Sequence, residues 1–424
     1  MDRAEETERR ARTAEGETGG VGDRQVPDER MRGSNQSGLR AHNERAVLSL
    51  IRRHGVMAKA DIARRTGLSP QTASVIMRAL ELEELVLRDE PRRGKVGQPS
   101  IPMRLNPDGA FSLGLKIGRR SVDLVLMDFV GTIRAHVRRT YRLPRLAEIR
   151  AFVREASDEV TATLDAKRRG RIVGLGVAMP YELWDWAEEI GAPPGVMDEW
   201  RDLDVEAEIG AAAGYPVYLA NDATAACASE HVFGTIGSLD YLYFFVGAFI
   251  GGGIVMDGDL VSGRLGNAGA LGSMPVPRPG GQGGFDQLLN SASLHVLEKM
   301  MRDAGRDPLD LWRTDGGASW AELGPLLDDW VRIAARSLAH AIVSAISVYD
   351  FECAVIDGSF PPQVRQALVE ATRLELAGLR LVGLSPVDIR AGTIGAAARE
   401  IGSASLPFFA RFLLDHRVLY TEKG

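Results

Sequence analysis

The chain has 424 residues, 45% of them hydrophobic and 25% charged, and a net charge of −6. That is the composition of a folded globular protein long enough for two or three domains. Cys227 and Cys353 are its two cysteines, which excludes a disulfide framework, and no apolar run approaches the roughly 20 residues that span a bilayer.

The charge is unevenly spread. Residues 39–105 carry thirteen Arg/Lys against seven Asp/Glu, whereas the remainder is net acidic, as expected of a protein that meets nucleic acid at one end only. The N-terminus is charged and lacks the apolar core of a secretory signal, so a cytoplasmic protein with no membrane partner is expected. Residues 1–38 are rich in Glu, Arg and Gly; with so few apolar side chains they cannot offset their ordering entropy and read as a disordered tail.

A first helix is predicted from near Ser37 or Asn43 to His54-Gly55, burying Ala46, Val47, Leu50 and Ile51. A second, short helix buries Ile62 and Ala63 and ends at Gly67. Ser69 is a good N-cap and Pro70 suits the first helical position. The third helix runs from Pro70 to about Glu84 and buries Ala73, Ile76, Met77 and Leu80, spaced three and four apart. Two helices joined by a tight glycine turn form a helix-turn-helix. With Ser69 opening the helix, Gln71, Thr72, Ser74 and Arg78 stand on its opposite face, suited to base edges and phosphate oxygens in the major groove. Leu85–Arg88 and Ile101–Leu105 read as paired strands around a basic tip, a wing whose Arg92, Arg93 and Lys95 suit DNA phosphates. The competing reading is an ordinary three-helix bundle with a solvated hairpin.

After the turn Asn106–Gly109, the stretch from Phe111 reads as three strands with turns at Gly118–Arg120 and Asp128–Gly131. A helix is predicted over Leu146 to Arg168 and a buried strand over Ile172–Met179, broken by Pro180. Further strands fall at Val217–Ala220, Tyr241–Val246, Ile254–Met256 and Ala354–Ile356, and the longest helix at about Trp320 to Tyr349. Strand triplets alternating with helices, given twice, predict a two-lobed α/β protein.

Several motifs of this stretch resemble the ROK family, which contains sugar kinases of the actin-like ATPase (ribonuclease H-like) fold and DNA-binding repressors. Tyr215-Pro-Val-Tyr-Leu-Ala-Asn-Asp-Ala is similar to the family's strand followed by Asn-Asp-Ala, and Val246-Gly-Ala-Phe-Ile-Gly-Gly-Gly to its second glycine loop. Gly263-Arg-Leu-Gly-Asn-Ala-Gly-Ala-Leu-Gly-Ser resembles its Gly-x-x-Gly-x-Ala-Gly-Glu-Ile-Gly-His segment. Ala354–Phe360 resembles its late strand and glycine turn, and Gly392–Ala398 its closing Gly-Ala-Ala helix. The resemblance implies three segments: the tail 1–38, a winged helix-turn-helix at 39–108, and a two-lobed ROK domain at 109–424.

The departures from the family pattern bear on chemistry. A kinase of this family has a phosphate loop of the form Asp-x-Gly-Gly-Thr; this chain has Lys116-Ile-Gly118-Arg119-Arg120. A cation replaces the residue that would help hold Mg²⁺, and Phe249 occupies the second glycine loop. No catalytic residue and no cofactor are therefore expected. Arg119 and Arg120 are expected to be solvated surface arginines, the alternative being an anion-binding pair.

Asp222 takes the position of the family's general base. With Asn221 it offers a grip on vicinal hydroxyls, or the two cap the following helix. Asp286, beyond the glycine-rich loop, is a further hydroxyl acceptor, and Tyr181 is a candidate to stack on a ring or close the pocket. Ala270 and Ser273 stand where the family has Glu and His. The family's zinc loop corresponds to Pro277–Gly284, which has no cysteine, so no metal is expected.

The implied function is a transcriptional regulator, more readily a repressor, of a carbohydrate-utilisation operon. It would bind double-stranded DNA at a palindromic operator as a homodimer or homotetramer and sense a small polyhydroxylated effector such as a sugar. The alternatives are a carbohydrate kinase with an accessory DNA-binding head and a ligand-independent DNA-binding protein.

Overall fold

A computed structural model describes residues 36–91, 101–180, 183–184, 192–193, 195–264, 267–279, 283–312 and 320–413. Three helices open it: α1 (Gln36–His54), α2 (Lys59–Thr66) and α3 (Pro70–Leu82). Gly67 ends α2 at φ +70°, the left-handed conformation that a residue without Cβ adopts freely. Ser69 then starts α3, its hydroxyl accepting from the Thr72 amide at 3.1 Å. The apolar spacing is realised in Ala73, Ile76, Met77 and Leu80, all buried. In α1 the phase differs by one residue from expectation: Val47, Leu48 and Ile51 are buried, and Leu50 is half-buried. Strands β1 (Val86–Arg88) and β2 (Met103–Leu105) pair antiparallel, with Met57 bridging to Met103 from the α1–α2 connection.

Two five-stranded sheets follow. The first holds β3 (Phe111–Ile117), β4 (Ser121–Asp128), β5 (Ile133–Thr140), β6 (Ile172–Met179) and β7 (Val217–Asn221), in the order β5-β4-β3-β6-β7. Helices α4 (Leu146–Ala162), α5 (Ala166–Arg169) and α6 (Val205–Ala213) lie between its strands in sequence. The predicted helix Leu146–Arg168 is thus two, because Asp165 caps a new turn by accepting from the Arg168 amide. Helix α7 (Asp222–Phe233) leads to the second sheet: β8 (Tyr241–Val246), β9 (Ile250–Met256), β10 (Asp259–Leu260), and later β13 and β14.

Between them come a small hairpin, β11 (Pro275–Pro277) with β12 (Phe285–Gln287), and helices α8 (Leu289–Ala292), α9 (Leu294–Asp303) and α10 (Pro325–Ile346). Strand β13 (Cys353–Gly358), α11 (Pro362–Ala377), β14 (Asp388–Ala391) and α12 (Ala398–Phe412) complete the chain. Each five-stranded sheet has an antiparallel meander on one side and two parallel strands on the other. The same topology is therefore built twice, one per lobe.

Helix α12 packs close to β6 and α7. A Cβ on Gly176 of β6 would lie 1.7 Å from the Ser403 carbonyl, and one on Gly402 would lie 2.0 Å from the Ala225 carbonyl. Only glycine permits backbones to approach so closely.

Candidate functional site

On α3, Ser69, Gln71, Thr72, Ser74 and Arg78 are all exposed, so the side chains proposed to meet DNA lie on the face opposite the buried one. Val75 stands among them, 60% exposed. Sequence reasoning passes over it because it is apolar, yet it falls outside the buried spacing; an apolar side chain there suits a thymine methyl. Ser69 and Thr72 hydroxyls are 2.8 Å apart, so part of their hydrogen-bonding capacity is committed to the cap. Arg92, Arg93 and Lys95 lie outside the described residues, as do Tyr181 and residues 1–35.

The lobes face each other across a cleft that contains a cavity of about 150 Å³. Asn221 and Asp222, at the carboxyl end of β7, both line it, together with Ala270, Ser273, Phe249 and Arg399. Ligands of α/β proteins gather at such strand ends. The Asn221 side chain is committed to capping α7, accepting from the Ala223 and Thr224 amides at 3.0 and 3.2 Å. Asp222 stands free of the cap and pairs with Arg399 at 3.2 Å.

Asp286 does not join them. It is absent from the lining of this cavity, and its carboxylate accepts from Asn290 at 2.7 Å. That bond and the Gln287 amide hold the Asp286 carboxyl below its usual range. The reading of Asp286 as a further hydroxyl acceptor beside Asn221 and Asp222 is corrected: β12 pairs with β11 and holds Asp286 in that hairpin.

The β3–β4 turn differs more sharply from expectation. Arg119 and Arg120 are each 8% exposed, not solvated. The Arg119 guanidinium sits 4.3 Å from the Phe249 ring centroid, and Phe249 leans on His295 with centroids 4.8 Å apart. Arg120 grips Glu298 of α9 with two hydrogen bonds, 3.1 and 2.8 Å, and donates to the Arg142 carbonyl at 2.8 Å. Glu298 also accepts from Trp312 Nε1 at 2.8 Å. Two cations of the first lobe therefore reach across the cleft to the second.

Behind the turn, Lys116 is buried. Its ammonium donates to Ser121 Oγ at 2.6 Å and Asp123 Oδ2 at 3.0 Å. Burial works to raise the Asp123 carboxyl, but Lys116, His136 and Arg138 outweigh it and hold it well below the usual carboxylate range. Lys116 is locked in this pair, and its charge opposes a metal ion beside it.

Trp200 is buried and donates to the Pro144 carbonyl at 2.8 Å, a packing role. Among the described residues no group of three or more His, Cys, Asp or Glu could hold a metal ion, and no helix is long and apolar enough to cross a membrane.

Comparison with known proteins agrees with this architecture. The ROK family model matches residues 112–398, and a winged helix-turn-helix DNA-binding model matches residues 40–86. An uncharacterised protein of Sinorhizobium fredii, y4fQ, is 27% identical over 87% of this chain and 91% of its own length. The xylose repressor of Bacillus subtilis is 23% identical over 57% of this chain and 62% of its own. The bifunctional enzyme NanE/NanK of Brucella melitensis is 33% identical over 58% of this chain, which spans 45% of that enzyme. Among solved structures, a ROK family transcriptional regulator, a homologue of the E. coli MLC protein, superposes with a TM-score of 0.62 at 20% identity, covering 90% of this chain and 99% of that one. The matched family model spans most of this chain, from the first lobe's β3 to the start of α12, behind a DNA-binding module: the protein belongs to the ROK family.

Proposed function

We propose that the protein is a DNA-binding transcriptional repressor of a carbohydrate-utilisation operon, whose kinase-like body senses a small polyhydroxylated ligand without phosphorylating it. The head at 39–108 would bind a palindromic operator as a homodimer or homotetramer, and the body from 109 would hold the effector. The observation that carries the reading is the replacement of a phosphate- and metal-binding turn by Lys116, Arg119 and Arg120. Their charges are engaged by Asp123, the Phe249 ring and Glu298. A kinase needs that space for a nucleotide and its Mg²⁺.

The cavity beside Asp222 keeps a carboxylate, and in this reading Asp222 serves as a hydrogen-bond acceptor. The cavity has a volume of about 150 Å³ and polar side chains, Asn221, Ser273 and Arg399, beside Asp222. The repressor relative of Bacillus subtilis supports the same assignment. The bifunctional enzyme NanE/NanK, as an enzyme relative, favours the competing reading, a carbohydrate kinase with a DNA-binding head.

One experiment separates them. The full chain is screened by thermal shift against sugars and polyols, and operator binding is titrated with and without the best hit. Asp222→Ala should fold and bind operator, while its sugar affinity falls roughly 10- to 150-fold, the loss of one charge-assisted hydrogen bond. Asp286→Ala should leave that affinity unchanged. Saturable, ATP-dependent phosphorylation of any sugar that disappears in Asp222→Ala would overturn the regulator reading and establish the kinase.

A further inference from the structure

A second and larger cavity, of about 400 Å³, lies on the other side of Arg399. Four cations line it: Lys116, Arg138, Arg365 and Arg399. They share three carboxylates. Lys116 and Arg138 both pair with Asp123, at 3.0 and 3.7 Å; Arg365 pairs with Asp357 at 2.8 Å and Arg399 with Asp222 at 3.2 Å.

The acid in the lining itself, Glu400, does not offset the remaining charge. It is 5% exposed, and its Oε2 has no hydrogen-bond partner among the described residues. Burial first, and then Asp123, push its carboxyl up toward the neutral form. Arg399 Nε is likewise buried without a hydrogen-bond partner among the described residues, although Arg399 donates to Asp222 and to Ser359. A buried cationic donor left short of acceptors is costly unless something arrives to satisfy it. The rest of the wall is mostly apolar and includes the aromatic side chains of Trp312, Trp320 and Phe360.

We propose that this cavity is a second ligand site, specific for a small, metal-free organic anion. Its carboxylate or phosphoryl group meets the cations, and its planar apolar part lies against Trp312 and Phe360. With three carboxylates set against four cations, a net positive charge remains around the space and disfavours Mg²⁺, so a magnesium nucleotide is the wrong ligand. Guanidinium groups favour planar bidentate anions. The site stands apart from the sugar reading of the Asp222 cavity, and its test uses no sugar.

The test is calorimetric titration of the full-length chain with phenyl phosphate, benzoate, inorganic phosphate and magnesium ATP. Either aromatic anion should bind saturably and at least about tenfold more tightly than inorganic phosphate. The two aromatic arms tell a phosphoryl ligand from a carboxylate one. Arg138→Met removes one partly exposed cation while Asp123 keeps Lys116 and His136. Ala396→Phe fills the cavity from an exposed lining position without touching a charge. Each variant, checked for folding by circular dichroism, should weaken the aromatic anion about tenfold or more. The proposal is overturned if neither aromatic anion binds up to about 10 mM, or if both folded variants bind like the parent. Equal affinity for inorganic phosphate removes the planar ligand, and Mg²⁺-dependent ATP binding that Ala396→Phe abolishes replaces the metal-free anion with a nucleotide.

Discussion

The Arg120–Glu298 pair is a buried charged link between the lobes, and Arg120→Met tests what it does. Their side chains are 9% and 1% exposed, so neither charge can fall back on water. Removing Arg120 leaves Glu298 with the Trp312 indole at 2.8 Å and Arg302 at 3.7 Å, the latter half in solvent. Breaking a buried pair by deleting one partner costs about 3–5 kcal/mol. The surviving indole bond and Arg302 place this case at the lower end, about 3 kcal/mol, or a fall in melting temperature of roughly 3–5 °C for a body of about 300 residues or more. The second arm is Arg120→Met with Glu298→Gln, which removes the stranded charge but keeps an acceptor for Trp312. That double variant should recover most of the loss, because a neutral buried pair avoids the desolvation term. Urea unfolding of both variants measures it. A single-variant loss under about 1 kcal/mol, the value of a surface pair, or a double variant no better than the single, would refute the argument.

Three further outcomes can be measured. Burial pulls the His295 imidazole down to about 4 from 6.5. The unfolded chain therefore protonates first, and stability should fall by about 3 kcal/mol as pH drops from about 6.5 to about 4; urea titrations of His295→Leu should lack that fall, and an unchanged slope refutes it. Gln71→Ala should relax preference at one base position at a cost of about 1–3 kcal/mol, and equal loss on specific and random DNA would place Gln71 on the backbone. Arg92→Ala with Arg93→Ala should weaken all duplexes alike and reduce the salt slope by about one for each phosphate no longer neutralised; an unchanged slope removes the wing from the interface.

The head is legible in the sequence because its signals are local. A glycine turn, the Ser69 cap and the three-and-four spacing of α3 all lie within a few residues of what they determine. The duplicated sheets are legible for the same reason, since their long apolar strands announce themselves. The short strands β10, β11, β12 and β14 are not: two to four residues with proline or charge among them leave no period to detect.

Arg119 and Arg120 mislead a sequence reading because a charged pair in a turn is usually solvated. Phe249 and Glu298, which bury them, lie far along the chain in the other lobe. Asp286 misleads differently. Its place after a glycine-rich loop puts it near the cleft in sequence, but pairing with β11 and the bond to Asn290 fix it elsewhere.

Helix α7 runs from the candidate ligand site to the DNA-binding head. Helix α7 begins at Asp222 in the cleft and ends at Phe233, about 18 Å away at the α-helical rise. The Phe233 ring carries the guanidinium of Arg52, from α1 of the head, 4.4 Å from its centroid. Gly131 makes room for that ring, since a Cβ there would lie 2.2 Å from it. Helix α7 packs tightly on α12 where Gly402 meets the Ala225 backbone, and as one continuous helix it should move as one body when a ligand draws on Asp222. Contiguity alone does not establish coupling, and Arg52→Leu supplies the measurement. A partly desolvated cation–π contact contributes about 1–2 kcal/mol. The variant should therefore still bind operator, while the ratio of operator affinities without and with the best-binding sugar shrinks by about 5- to 30-fold, or to unity where the full ratio is smaller. A ratio preserved within about twofold, in a variant that still binds sugar as the parent does, would show that the head takes its signal from some other contact.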